Sequence, residues 1–277
     1  MLIQAYATKG DLAEVLKENE FQPSQLVLLE IFVQIIDAMV YLVNYGIVHG
    51  DLACRNALVF RFHNSNPQEN LVKLTDFGLI RPSTLYLVVG STASTANLLV
   101  LVRYAAPEIL PIEGFSNYSK KSDVHSMGIL MCEACSQGQL PYASIEDDNE
   151  VRRLKLNGDI FRRPENCDEK LWTIIVQCWH QRPEVRPTFK MLKQSLLELR
   201  LLSIVSFNGI QNKNMESKTT LEKLNLNRKE LCEKEVQHVA KILANNRTLT
   251  QLTLVNNDIT HQGARCLARA LRINQVT

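Results

Sequence analysis

The 277-residue chain has almost no net charge: 31 Lys and Arg against 29 Asp and Glu leave +2. That balance gives no electrostatic reason to expect nucleic acid or an acidic membrane as a partner. The densest basic run, Arg152, Arg153, Lys155, Arg162 and Arg163, is broken by apolar residues and reads as a solvated helix face. A disulfide framework is lacking too, because seven cysteines form an odd count spread over a long chain. Cys132 and Cys135 share a predicted helix with no second pair to complete a structural zinc site, so packing explains them. No basic, then apolar, then small-residue leader opens the sequence. The longest apolar stretch, 26–43, is not a clean membrane span. Glu30, Gln34, Asp37 and Tyr41 recur along it at helical spacing as one polar stripe. A charge near a bilayer centre costs about 2.5–3.5 kcal/mol on insertion scales, so the stretch reads as a mostly buried helix. Together these absences predict a cytoplasmic protein.

With 45% apolar and 22% charged residues, the composition is that of a globular protein long enough for about two domains. Three regions separate by pattern. Residues 1–202 are mainly helical by period. Residues 203–219 lose the period, gain Asn, Ser and Gly, and read as a linker. Residues 220–277 repeat themselves. Leu221, Leu224, Leu226 and Leu231 match Leu249, Leu252, Leu254 and Ile259 at an offset of 28, as Val239, Ala240 and Leu243 match Leu267, Ala268 and Leu271. A strand-like Leu-x-x-Leu-x-Leu followed by helical spacing is the leucine-rich repeat pattern. It resembles the ribonuclease-inhibitor type, which implies a protein ligand on the strand face. Asn257 matches that pattern's turn Asn, and Lys229 departs from it in the first repeat. A single amphipathic helical hairpin is the plainer alternative.

The chemistry concentrates in His49-Gly50-Asp51-Leu52-Ala53-Cys54-Arg55-Asn56 and, further on, Asp76-Phe77-Gly78. Phosphoryl transfer needs a carboxylate beside the attacking hydroxyl and oxygen ligands for Mg²⁺ on the nucleotide phosphates. A base Asp, an Asn five residues on and a second Asp before Phe-Gly supply those groups at protein-kinase spacing. The chain therefore resembles the protein kinases, closest to the tyrosine kinases.

That resemblance implies a fold that is mainly α with some β: a kinase large lobe, followed by a short α/β repeat segment. It implies ATP and Mg²⁺ as cofactors and a protein as substrate. Asp51 becomes the base, Asn56 and Asp76 the metal ligands. Leu58 becomes the apolar floor under the adenine. Residues 2–12, with Ala7, resemble the segment joining the two kinase lobes beneath the adenine. The Gly-rich loop and the Val-Ala-Ile-Lys strand that normally precede it are expected to be missing, along with the rest of the N-terminal lobe, which would impair activity. His49 and Phe77 become interior supports for Asp76. Asp123, in Asp-Val-His-Ser-Met-Gly, becomes an anchor for the catalytic loop, and Arg186 an ion-pair partner of Glu108.

Arg55, in Leu-Ala-Cys-Arg-Asn, resembles the catalytic-loop Arg of tyrosine kinases, and Ala53 stands where serine/threonine kinases place Lys. The segment 102–108 is similar to both classes, so the acceptor stays open. Gly50 departs from the family's Arg, which pairs with an activation-segment phosphate; Arg81 offers a substitute. Tyr86 reads either as the phosphosite of that segment or as an unmodified aromatic. Two functions follow: a protein kinase, tyrosine-specific by its loop, or a pseudokinase scaffold that binds proteins through the lobe and the repeats.

Overall fold

The computed structural model describes residues 6–19, 22–76, 102–110, 118–159, 162–211, 223–227, 231, 233–245 and 251–274. The protein is mostly helical, with a small antiparallel hairpin and a short parallel pair. It divides into two units, Met1–Leu196 and Leu197–Thr277.

The first unit is built on two buried helices. Helix α1, Leu12–Glu18, starts where the Asp11 side chain accepts a hydrogen bond from Glu14 N at 2.9 Å. Helix α2, Gln25–Asn44, is capped by Ser24, and it buries Val27, Phe32, Ile36 and Met39 among ten apolar residues. By length and composition α2 could cross a membrane, but 56% of its apolar window is buried inside the protein. Its polar stripe serves the fold. Gln34 donates to Asn70 O at 3.1 Å and accepts from Val72 N at 2.9 Å, while Asp37 pairs with Lys193 at 2.6 Å. Helix α3, Lys120–Cys135, opens with a reciprocal capping box between Ser119 and Ser122 and is buried on every face. A helix buried all round belongs to the centre of a core.

Strands β1, Ala57–Arg61, and β2, Leu71–Leu74, pair antiparallel with Leu58 opposite Lys73 and Val59 opposite Val72. Asp11 bridges Leu58, so the segment that begins α1 lies against β1. Helices α4, Asp148–Asn157, and α5, Glu169–Cys178, are capped by Asp147 and Asp168. Gly158 ends α4 at φ +85, a left-handed position that glycine fills without steric cost.

Helix α6 runs Phe189–Gln211. The break expected at residue 203 is therefore displaced: 203–211 are helical, and 212–219 lie outside the described residues. Once a helix is nucleated, each added residue costs little, so it outruns the Leu-rich turns that started it.

In the second unit β3, Lys223–Asn225, pairs parallel with β4, Gln251–Thr253, every partner being 28 residues apart. Each strand is followed by a helix, α7 at Glu233–Asn245 and α8 at His261–Ile273. Leu226, Leu231, Val236, Val239, Leu243 and Ala270 are buried together, with Leu252, Leu254, Ile259 and Leu267 packed against them. Asn257 ties the two copies: it donates to Leu226 O at 2.8 Å and Leu254 O at 2.9 Å, and accepts from Leu231 N at 3.2 Å. Lys229 lies outside the described residues.

Candidate active site

The loop between α2 and β1 is held from below by α3. The buried Asp123 carboxylate accepts from His49 N at 2.8 Å and Gly50 N at 2.9 Å. Burial lifts its pKa to about 6 against the opposing pull of those two hydrogen bonds. Gly50 sits at φ +79, which a side chain tolerates poorly. The buried His49 ring accepts from Asp51 N at 3.3 Å. Burial lowers the His49 pKa, while Asp51, the Thr75 backbone and Asp76 act in the opposite direction.

Asp51 is fixed on two sides. Asn56 Nδ2 donates to Asp51 O at 2.7 Å and to Asp51 Oδ2 at 2.9 Å, and the Arg55 guanidinium pairs with Oδ1. The hairpin then brings in Asp76. Thr75 N donates to Asn56 O at 2.9 Å, one step beyond the Ala57–Leu74 pair, so Asn56 and Asp76 stand at the same end of the ladder. Asp76 is exposed and adopts φ +55. Asp is among the few non-glycine residues that tolerate this region, and such strain persists where surrounding structure enforces it.

With its nitrogen engaged on Asp51, Asn56 presents a carbonyl oxygen, and Asp76 carries a carboxylate at the same end of the ladder. Hard oxygen donors of this kind could hold Mg²⁺, which is satisfied by one or two protein ligands plus phosphate oxygens and water. Among the described residues no cluster of three His, Cys, Asp or Glu forms a metal site without such help. Leu58 is half-buried beside the segment 7–11: Lys9 N donates to Val59 O at 3.3 Å and Val59 N to Gly10 O at 2.9 Å. Ala7 is half-buried in the turn closed by Gly10 N. Phe77, Arg81 and Tyr86 lie outside the described residues.

A small cleft opens beside Asp51, walled by Gly50, Tyr104, Ala105, Ala106 and Tyr118. Tyr104 also supports the loop. The Arg55 guanidinium lies 4.7 Å from its ring centroid, and its hydroxyl donates to Glu133 Oε1 at 2.7 Å. The other Glu133 oxygen accepts from Cys54 N at 3.1 Å. Glu133, buried on α3, thus joins the loop that carries Asp51 to Tyr104. Sequence reasoning missed it. The available signal was an acid on a helix with no solvated face.

Below the pocket, Arg186 is fully buried and meets Glu108 through two bonds of 2.6 and 2.7 Å. Lys155, expected on a solvated face, is buried instead. Its Nζ donates to Val102 O at 3.1 Å and Arg103 O at 2.9 Å, which offsets the loss of water. Arg103 in turn reaches Pro141 O, Tyr142 O and Ile145 O and pairs with Asp148. The segment carrying Tyr104 is clamped by buried cations.

Residues 1–196 match the protein tyrosine and serine/threonine kinase family. The chain belongs to that family. The chain resembles tyrosine-protein kinase Btk of Drosophila melanogaster, 31% identical over 197 residues, 70% of this chain and 23% of that protein. It resembles human cytoplasmic tyrosine-protein kinase BMX at 33% over 201 residues, 72% of this chain and 27% of BMX. With the transforming protein Abl of Abelson murine leukemia virus it shares 36% over 196 residues, 70% of this chain and 24% of Abl. The chain thus spans about a quarter of the length of these relatives.

Proposed function

We propose that this kinase transfers the γ-phosphate of ATP to a protein tyrosine through Asp51. The observation that carries the reading is the fixed Asp51 carboxylate, bonded to Arg55 and Asn56 at the hairpin end that holds Asp76. Asp51 orients the acceptor hydroxyl and accepts its proton. Arg55, braced on Tyr104, keeps that carboxylate aimed. Asn56 and Asp76 would hold Mg²⁺, which when bound neutralises phosphate charge. Leu58 and Ala7 border the place for the adenine. Ala53 and Arg55 favour tyrosine as acceptor, in keeping with the printed names of the relatives. The name of BMX supports a cytoplasmic setting.

The parallel pairing at a 28-residue offset supports reading 220–277 as two leucine-rich repeats that bind a protein ligand. A second reading, a scaffold that binds partners without turnover, draws on Gly50: its position lacks the Arg that meets an activation-segment phosphate.

The test is radiolabel transfer from ATP to tyrosine and to serine/threonine peptides by the full chain and by Asp51→Asn. Loss of tyrosine transfer by about 10²–10⁴-fold in the variant, with an unchanged circular dichroism spectrum, is expected. Equal transfer by both proteins overturns the assignment of Asp51. ATP binding without transfer by either selects the scaffold.

A further inference from the structure

In the second unit the two copies of the repeat offer matching surfaces, and only one of them is covered. On α7, Val236, Val239, Ala240 and Leu243 are buried. Helix α8 closes over that side: a Cβ on its Gly263 would stand 3.0 Å from Val236 Cγ1, and Asn274 Nδ2 donates to Leu243 O at 2.7 Å. The same positions of the second copy are Ala264, Leu267, Ala268 and Leu271. There Ala264 and Ala268 are exposed and Leu267 is half-buried, while Leu271 is 58% exposed where Leu243 is 3%. Spaced i, i+3, i+4 and i+7, these four form one stripe along α8. The strands repeat the contrast. β4 pairs with β3 along one edge, and among the described residues its other edge is unpaired. An open strand edge beside an apolar helix stripe is a template for a further strand and helix.

We propose that this side of the second repeat docks a strand–helix unit of a partner protein whose helix carries acidic residues. The partner strand lies parallel to β4, as β4 lies on β3, and its helix covers Ala264, Leu267, Ala268 and Leu271. The junction between the two copies, already present in the fold, is the pattern for this contact.

Charge selects the partner. Helix α8 has no acid, and Arg265, Arg269 and Arg272 run along it beside the apolar stripe, all exposed. Among the described residues none of the three meets a carboxylate. At the equivalent positions α7 has Gln237, Lys241 and Ala244, so the arginine row belongs to the uncovered copy. A two-fold pairing of this face with a second copy would bring two arginine rows together, which like charges oppose. Acids on the incoming helix satisfy the row instead. The inference rests on reading 220–277 as a repeat, and it does not depend on phosphoryl transfer.

The test titrates the full chain with two synthetic peptides by calorimetry. One copies residues 249–276, and the other is the same peptide carrying Arg265→Glu, Arg269→Glu and Arg272→Glu. The acidic peptide should bind about tenfold more tightly, because three exposed pairs of modest worth add up, and high salt should erase that margin. Leu271→Asp in the chain, at an exposed position, should abolish binding. Making the three Arg→Glu changes in the chain should pass the preference to the unaltered peptide. No binding of the acidic peptide, equal binding of the two, or a chain that light scattering finds dimeric until Leu271→Asp is made overturns the proposal. Hydrogen exchange of the free chain tests the repeat by itself: the Leu226 amide, bonded to Thr253 O at 2.8 Å, should exchange slowly. Slow exchange with no peptide bound refutes the docking and leaves the repeat standing; fast exchange removes both.

Discussion

The Arg186–Glu108 pair offers the sharpest test of how the first unit is held together. The Arg186 side chain has no exposure, and its guanidinium satisfies both Glu108 oxygens and the carbonyls of His180, Lys121 and Gln181. Glu108→Gln keeps the shape but leaves the cation without its counter-charge and turns an amide NH₂ toward donors. Breaking a buried pair from one side costs about 3–5 kcal/mol. That is a large part of the roughly 5–15 kcal/mol available to a domain. Both tryptophans of the chain, Trp172 and Trp179, lie in the first unit with rings 5.4 Å apart, so their fluorescence reports its unfolding alone. For a denaturant slope of about 2 kcal/mol per molar urea, the midpoint should fall by roughly 2 M. Replacing both partners by apolar residues should recover only part of the loss, because three carbonyls lose their donor as well. A Glu108→Gln midpoint within about 0.5 M of wild type refutes the reasoning.

Three further outcomes use the same fluorescence assay. Lys155 titrates at about 7, well below the ordinary lysine value, because burial disfavours its charge; Glu108 opposes that shift and Arg186 adds to it. Between about 7 and the ordinary value near 10.4 the unfolded chain binds the extra proton, so stability rises with pH across that window, by at most about 1.4 kcal/mol per unit. Comparing wild type with Lys155→Met from pH 7 to 8.5 should show stability rising more steeply with pH in wild type, the buried thiols acting alike in both proteins; equal slopes refute it. Glu133→Gln and Tyr104→Phe should each cost about 1–3 kcal/mol by leaving a buried polar group unpaired, and the double variant should cost less than their sum. Strict additivity counts against the bridge. A Cβ at Gly128 would stand 2.5 Å from Trp179 Nε1 and 2.8 Å from Cys178 Cβ, so Gly128→Ala should cost about 1–3 kcal/mol by overpacking. The helix-propensity gain of about 1 kcal/mol appearing instead would show that α3 yields freely there.

What the sequence revealed and what it hid divide along one physical line. The nearness of Asp51 to Asn56 was legible because five residues of one loop separate them, and the hairpin register sets Asp76 at the same end of the ladder as Asn56. The repeat was legible for a related reason: a parallel pair at constant offset prints its period into the sequence, as Lys223 opposite Gln251 shows. Glu133 and Lys155 were not legible, because their partners lie far along the chain: Cys54 for one, Val102 and Arg103 for the other. Local pattern put Lys155 on a solvated face because a cation among other cations on a helix normally stays wet; two carbonyls at hydrogen-bond distance reverse that preference. The end of α6 was hidden for another reason, since helix propagation does not stop where composition changes. A charge on a helix with no solvated face still carries information. Left unpaired it would cost several kcal/mol, so it must have a distant partner, and only the tertiary structure names which. Asp123 and Glu133, the two acids of the buried α3, both find theirs in the backbone of the one loop that holds Asp51.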